Sequence, residues 1–243
     1  METAQNRAAP AHPFDGTPRN RILAALPPNE FERIRPHLTH AVVRRSTILQ
    51  DFDVAPDRVF FIESGLASLQ VHTDSDRPVE VGMVGRKSLV GASAALGGHV
   101  PLRAVMQVAG EALTISAKPF RSALSRSPTL LQLLLNDLHS TTMQSSQLVL
   151  CSARHEAEQR IARWLLLAQD WLEADQVPIT HEVIGSNLGM RRAGVTEVLS
   201  RFEQAGAVRT ERACITVVDR EELQKLSCDC YRVISREYAR LFK

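Results

Sequence analysis

No cysteine precedes Cys151, and the chain has four in 243 residues, too few for a secreted disulfide scaffold. No apolar run approaches the roughly 20 residues that cross a bilayer, so no membrane partner is expected. The opening METAQNRAAPAHPFDGTPRN lacks the apolar stretch of a secretory signal; polar and proline-rich, it reads as a flexible tail on a cytoplasmic protein. Charge of one sign is missing too. The net value is +2, which excludes bulk attraction to nucleic acid and leaves local charge placement to supply any such affinity. There is no Gly-x-Ser-x-Gly, no Walker loop and no catalytic Cys/His signature. His72 and His99 stand alone where a metal-dependent β-roll enzyme would need His-x-His and a following glutamate. No enzymatic activity is expected.

What is present centres on residues 179–201, ITHEVIGSNLGMRRAGVTEVLSR. The stretch reads as two short helices around a tight turn. Thr180 has N-cap chemistry and is followed by Val183, Ile184 and Leu188 on one face. Gly189 stands where the chain must turn, which glycine does without a Cβ penalty. Val195, Val198, Leu199 and Phe202 then fall at i, i+3, i+4 and i+7, one apolar stripe. The opposite face carries Arg191, Arg192, Thr196, Glu197, Ser200 and Arg201. A helix buried on one side with an arginine-rich start on the other has the shape that enters a major groove. An αα-hairpin in a core is the other reading of the same periodicity. From His155 onward there are 13 Lys and Arg against 14 Asp and Glu, yet Gly189 to Arg212 holds five arginines and three glutamates.

Around this centre the chain falls into blocks. Asn20 to Leu38 has helical spacing interrupted at Pro27–Pro28, which predicts two short helices. Short strands follow at Ala41–Val43, Thr47–Leu49, Arg58–Val71 (two strands meeting at Ser64–Gly65), Pro78–Val84, Arg103–Val108 and Leu113–Ser116. That spacing suggests a small antiparallel barrel or jelly roll. After a short helix at Phe120–Leu124, a long one begins beyond Ser127–Pro128. Its Leu131, Leu134, Leu138, Thr141, Ser145 and Leu148 alternate three and four apart, a heptad-like seam. A hinge is expected at Arg154–His155, then a helix over Ala157–Leu172 with both tryptophans inward. Ala207–Val208 and Cys214–Val218 read as strands flanking a turn from Arg209 to Ala213. Asp219 and Glu222 have capping-box spacing ahead of a single last helix carrying Leu223, Leu226, Cys230, Ile234, Tyr238 and Leu241.

With these elements in this order, residues 21 to 220 resemble bacterial transcription regulators of the CRP/FNR type. The pattern I-T-x-x-x-I-G-x-x-L-G followed by R-x-x-V-x-x-x-L carries the likeness. It implies an α+β fold: a tail over 1–20, an N-terminal cyclic-nucleotide-binding-like β-roll (jelly roll) over 21–127, a long dimerisation helix over 128–154, and a C-terminal winged helix-turn-helix with an extra helix over 155–243. It implies a homodimer joined along the seam, with double-stranded DNA and RNA polymerase as partners. Arg192 falls where the catabolite-activator branch has a base-reading arginine, which can bind guanine O6 and N7 bidentately. Ala193 stands in place of that branch's glutamate and Glu197 in place of its arginine; Thr196 lies where the oxygen-sensing branch has a serine. Thr180, His181 and Arg191 fit phosphate contacts near helix starts. Ser200 and Arg201 complete the exposed face, and Arg209 and Arg212 of the wing would lie near phosphates.

The resemblance breaks at the sensor. The family holds a cyclic nucleotide with a Gly-Glu pair and an Arg-Ser/Thr pair. Here the region reads LVGASAALGGHVPLRAVMQV: Gly91 is followed by Ala92, and Val100–Pro101 occupies the Arg-Ser position. Arg103 is close in sequence but shifted along the strand. A buried phosphate without cation or hydroxyl is disfavoured, so no cyclic nucleotide is expected, no cofactor is predicted, and the effector is open. The oxygen-sensing branch's N-terminal cysteine cluster is absent. Cys151, Cys214, Cys228 and Cys230 are redox candidates. No metal site is expected, because C-x-C on one helix sends its side chains apart. The alternative function is a β-roll sensor of a small molecule or of redox state that acts through a protein partner.

Overall fold

The structure is a computed structural model that describes residues 12–14, 16–73 and 77–242. The first eleven residues of the expected tail, and Asp15, lie outside these. The chain divides into two compact units, Met1–Leu69 with Val84–Leu138, and Gln70–Met83 with His139–Lys243; the division falls within the long helix.

In the first unit the chain is tied down before residue 20. Asn20 is buried and caps α1 (Arg21–Ala24), its Oδ1 accepting from the Ile22 and Leu23 amides. Its Nδ2 donates to the carbonyls of Ile62 and Ser88 at 3.0 and 2.9 Å. The polar composition that reads as a tail therefore includes a buried, fully bonded asparagine. Pro28 then opens α2 (Pro28–Ile34), as its fixed φ allows at a first turn.

The strands are β1 (His12–Pro13), β2 (Thr39–Val43), β3 (Ile48–Gln50), β4 (Arg58–Val71), β5 (Val79–Val84), β6 (Leu89–Val90) and β7 (Arg103–Ser116). They form a sheet of order β1-β2-β7-β4-β5, with β3 on β7 and β6 on β4. Two expected breaks are not there: β4 and β7 each run 14 residues without interruption. The glycines that suggested turns serve close approach instead. A Cβ on Gly110 would stand 2.0 Å from the Ser64 carbonyl oxygen, and one on Gly65 would stand 2.6 Å from that of Val108.

Helix α3 (Ala117–Leu124) leads to α4 (Pro128–Arg154). The expected seam of α4 is divided. Leu134 and Leu148 are buried within the chain, whereas Leu131 and Leu138 remain 42% and 37% exposed. Ser145 Oγ donates to the Val81 carbonyl at 2.7 Å, and the Thr141 hydroxyl is 3.5 Å from that of Tyr238. The exposed apolar row is Leu131, Leu135, Leu138 and Val149, partly rotated from the expected one. Two apolar stripes share this helix, and heptad spacing alone did not separate them.

In the second unit α5 (Ala157–Leu172) buries both tryptophans. A three-stranded sheet of order β8-β10-β9 is built from β8 (Gln176–Val177), β9 (Val208–Glu211) and β10 (Cys214–Val217). Arg209 thus lies in a strand, and the wing turn is at Arg212–Ala213, where Ala213 takes a φ of 59°. Asp219 accepts from the Glu222 amide at 3.0 Å, but the Glu222 carboxylate accepts from Lys225 at 2.9 Å. The single last helix is two, α8 (Arg220–Leu226) and α9 (Cys230–Arg240). No helix of the described residues is long and apolar enough to cross a membrane.

Candidate nucleic-acid interface

Helix α6 (His181–Leu188) starts at Thr180, whose hydroxyl accepts from the Val183 amide at 3.3 Å. It ends at Gly189 in the left-handed region, φ 65°. Gly185 makes the turn tight: a Cβ there would lie 2.9 Å from the Met190 carbonyl oxygen, which accepts no such intrusion. Helix α7 (Arg192–Gln204) follows, with Arg191 as its N-cap. Val195, Val198, Leu199 and Phe202 are buried, so the outward face is fixed as Arg192, Ala193, Gly194, Thr196, Glu197, Ser200 and Arg201. Gly194 meets nothing within 4 Å of a notional Cβ, so no internal packing requires glycine at this mid-helix position.

The charges on this face are not equivalent. Among the described residues Arg191, Arg192 and Arg212 have no carboxylate partner. Arg201 is held by Glu197 at 3.2 Å and Glu158 at 3.5 Å, and Arg209 by Glu211 at 3.2 Å. Arg191, Arg192 and Arg212 lie exposed at the start of α7 and the wing tip. The Glu203 carboxylate accepts from the Thr210 amide and hydroxyl, each at 2.6 Å, and these bonds hold its carboxyl below the usual range. That fixes the wing against α7. His181 Nδ1 is 2.9 Å from the Thr196 hydroxyl. Burial, then the Arg192 charge, lowers the His181 pKa from its ordinary value and favours the neutral imidazole in the free protein.

Sequence reasoning missed a buried polar knot beneath this surface. The Glu80 carboxylate accepts from Trp164 Nε1 at 2.8 Å and from Asn187 Nδ2 at 3.0 Å, and Gln70 Nε2 donates to Asn187 Oδ1 at 3.3 Å. It anchors α6 to the paired ends of β4 and β5. The residues lie about a hundred positions apart, and no local pattern announces them. An open cavity of about 850 Å³ adjoins it, with Val71, His72, Arg77, Arg191 and Arg192 among its walls.

At the expected nucleotide position Gly91 has φ 91°, and a Cβ would meet the Arg58 carbonyl oxygen at 2.6 Å. Ala92 to Ala95 form a 3-10 turn. Between Ser88 and Ser116 Arg103 is the only Arg or Lys. It is committed: its guanidinium pairs with Asp51 at 2.7 Å and lies 4.7 Å over the Phe52 ring.

The cysteines gather differently from expectation. Cys228 lies ahead of α9 and only Cys230 is in it, so the divergence expected of i and i+2 on one helix does not arise. Cys151, His155, Cys228 and Cys230 come together, while Cys214 sits apart on β10. The hydrogen bond between Cys151 and Cys228, and then the Arg163 charge, pull the Cys151 thiol below its usual range, while the same pairing pushes Cys228 up.

Two family models match the chain: a Crp-like helix-turn-helix domain over residues 159–226 and a cyclic nucleotide-binding domain over residues 40–127. No curated protein sequence matches significantly. Solved structures do. FixK2 from Bradyrhizobium japonicum aligns with TM-score 0.69 at 17% identity, over 79% of this chain and 98% of that one. A transcriptional regulator of the CRP/FNR family from Eubacterium rectale aligns with TM-score 0.64 at 19% identity, over 83% and 94%. The c-di-GMP responsive global regulator CLP of Xanthomonas campestris aligns with TM-score 0.64 at 18% identity, over 79% and 99%. At these identities the likeness is one of fold.

Proposed function

From the premise that the chain is a CRP/FNR-type transcription regulator, a cyclic nucleotide-binding domain followed by a Crp-like helix-turn-helix, we propose that it binds a near-palindromic DNA site as a homodimer and answers to a signal other than a cyclic nucleotide. The observation that carries DNA reading is the outward face of α7, with Arg191 and Arg192 exposed above a fully buried apolar stripe. Two copies of α7 would enter successive major grooves about 34–36 Å apart. The exposed row Leu131, Leu135, Leu138 and Val149 of α4 supports pairing of two chains. RNA polymerase is the partner that the family likeness suggests for the DNA-bound dimer.

Arg192 is assigned the base contact and Arg191, Thr180, His181 and Arg212 the phosphates. Glu197 and Arg201 bind each other in the free protein, so a cytosine contact by Glu197 would require that pair to open. Arg192→Ala should keep the circular dichroism spectrum and lose about 1–3 kcal/mol of discrimination at one base pair of each half-site. Unchanged selectivity would remove the assignment. The sensor reading rests on Ala92 and on Arg103, the one Arg or Lys between Ser88 and Ser116, which Asp51 already holds. Calorimetric titration with cAMP should give no binding heat; micromolar affinity would contradict it.

A further inference from the structure

Cys151 lies near the C-terminal end of α4, His155 just beyond it, and Cys228 and Cys230 at the break between α8 and α9. No step of DNA reading uses them. Their four donor atoms all lie within 4.8 Å of one another. Cys151 Sγ is 3.6 Å from Cys228 Sγ, and Cys230 Sγ is 3.4 Å from His155 Nδ1. A tetrahedral zinc ion, with Zn–S about 2.3 Å and Zn–N about 2.0–2.1 Å, holds neighbouring donors roughly 3.5–3.8 Å apart. Cys151, Cys228 and Cys230 are 1%, 4% and 1% exposed.

We propose that Cys151, His155, Cys228 and Cys230 are the complete ligand set of a structural zinc-class site that clamps the α8–α9 junction to the end of α4. Three sulfurs and one imidazole suit zinc and fill a tetrahedron, which leaves no open position for chemistry. The surroundings match the charge. Three thiolates, a neutral imidazole and a divalent cation carry one net negative charge. Arg163 is 3% exposed with its Nε unpartnered, and its charge acts on Cys151. Arg160 also has an unpartnered Nε, and it interacts electrostatically with Cys151 and Cys228. Among the described residues neither arginine pairs with a carboxylate. A buried guanidinium without a counter-ion is costly, and an anionic metal centre supplies one. Gln147 Nε2 donates to Cys230 Sγ at 3.2 Å, an outer contact of the kind that orients a thiolate ligand. Binding transfers no electrons: thiol protons leave to solvent as each sulfur takes the ion. The site joins the end of α4 to helices that pack on α5, where Asp170 accepts from Arg220 and Tyr231, each at 2.8 Å.

The site does not depend on the DNA-binding reading, because it is tested on the free full-length protein. After dialysis against a weak chelator, elemental analysis should find one zinc per chain. Protein stripped at low pH and titrated with Co(II) under reducing conditions should develop the intense visible bands of a tetrahedral thiolate complex, saturating at one equivalent. Cys214→Ser should leave both results unchanged. Cys228→Ser and Cys230→Ser should lose the stoichiometric metal, and His155→Ala, at a half-buried position, should weaken Co(II) binding at least about tenfold. The wild-type titration stands even where a cysteine variant fails to fold. A chain that takes up no Co(II) when reduced overturns the proposal. So does an intact mass short by two hydrogens with no metal, which would mark a Cys151–Cys228 disulfide, or the broad absorption of an iron–sulfur cluster.

Discussion

Asp137, within α4, is buried on all sides with its Oδ1 unpartnered. Burial pushes its carboxyl up from 3.8 to about 7, opposed in part by the Ser88 hydroxyl. Between about pH 4 and pH 7 the native chain therefore holds a proton that the unfolded chain has released. By linkage, stability falls as pH rises through that window and levels off above it. A shift of about three units at 1.36 kcal/mol each sets the total at roughly 4 kcal/mol. Asp137→Asn replaces the titrating acid with a neutral group of the same shape. Urea unfolding by far-ultraviolet circular dichroism should find variant and wild type equally stable near pH 4, with the variant ahead by roughly 2–4 kcal/mol at pH 8. Other titrating groups are common to both proteins and cancel in the difference. A constant difference between pH 4 and 8, or a variant less stable at pH 8, would refute a buried, uncompensated carboxylate.

Glu80→Ala leaves Trp164 Nε1 and Asn187 Nδ2 buried without an acceptor. At roughly 1–3 kcal/mol for each orphaned donor the variant should lose about 2–6 kcal/mol. Urea unfolding followed by tryptophan fluorescence reads it, since both tryptophans lie in α5; a loss below 1 kcal/mol would mean water already satisfies these groups. Gly194→Ala places a methyl in open space on the outer face of α7. It should raise stability by ~1 kcal/mol and weaken DNA binding where the backbone meets the duplex. Equal affinity with raised stability would dissociate Gly194 from DNA contact.

The helix-turn-helix was legible because its determinants are local. Thr180 caps, Gly189 turns, and the spacing of Val195, Val198, Leu199 and Phe202 fixes which face is buried. Features that depend on distant partners were not. Gly65 and Gly110 look like turn glycines until β4 and β7 are paired across them. Leu134 and Leu138 share one heptad pattern, yet one is buried by its own chain and the other exposed. Cys151 and Cys228 are 77 residues apart; nothing short of the fold brings a helix end to a helix junction. Glu80 reads as a surface charge on a strand, and only Trp164 and Asn187 explain its burial.

Selection of the full-length protein, under reducing conditions, on a randomised duplex DNA pool bears most directly on dimeric, sequence-specific recognition. The expected outcome is a two-fold symmetric motif with half-sites about one helical turn apart, bound at least about a thousandfold more tightly than bulk DNA at physiological salt. Enrichment of no motif, or of a motif without symmetry, in reduced protein supplied with cell metabolites would contradict it.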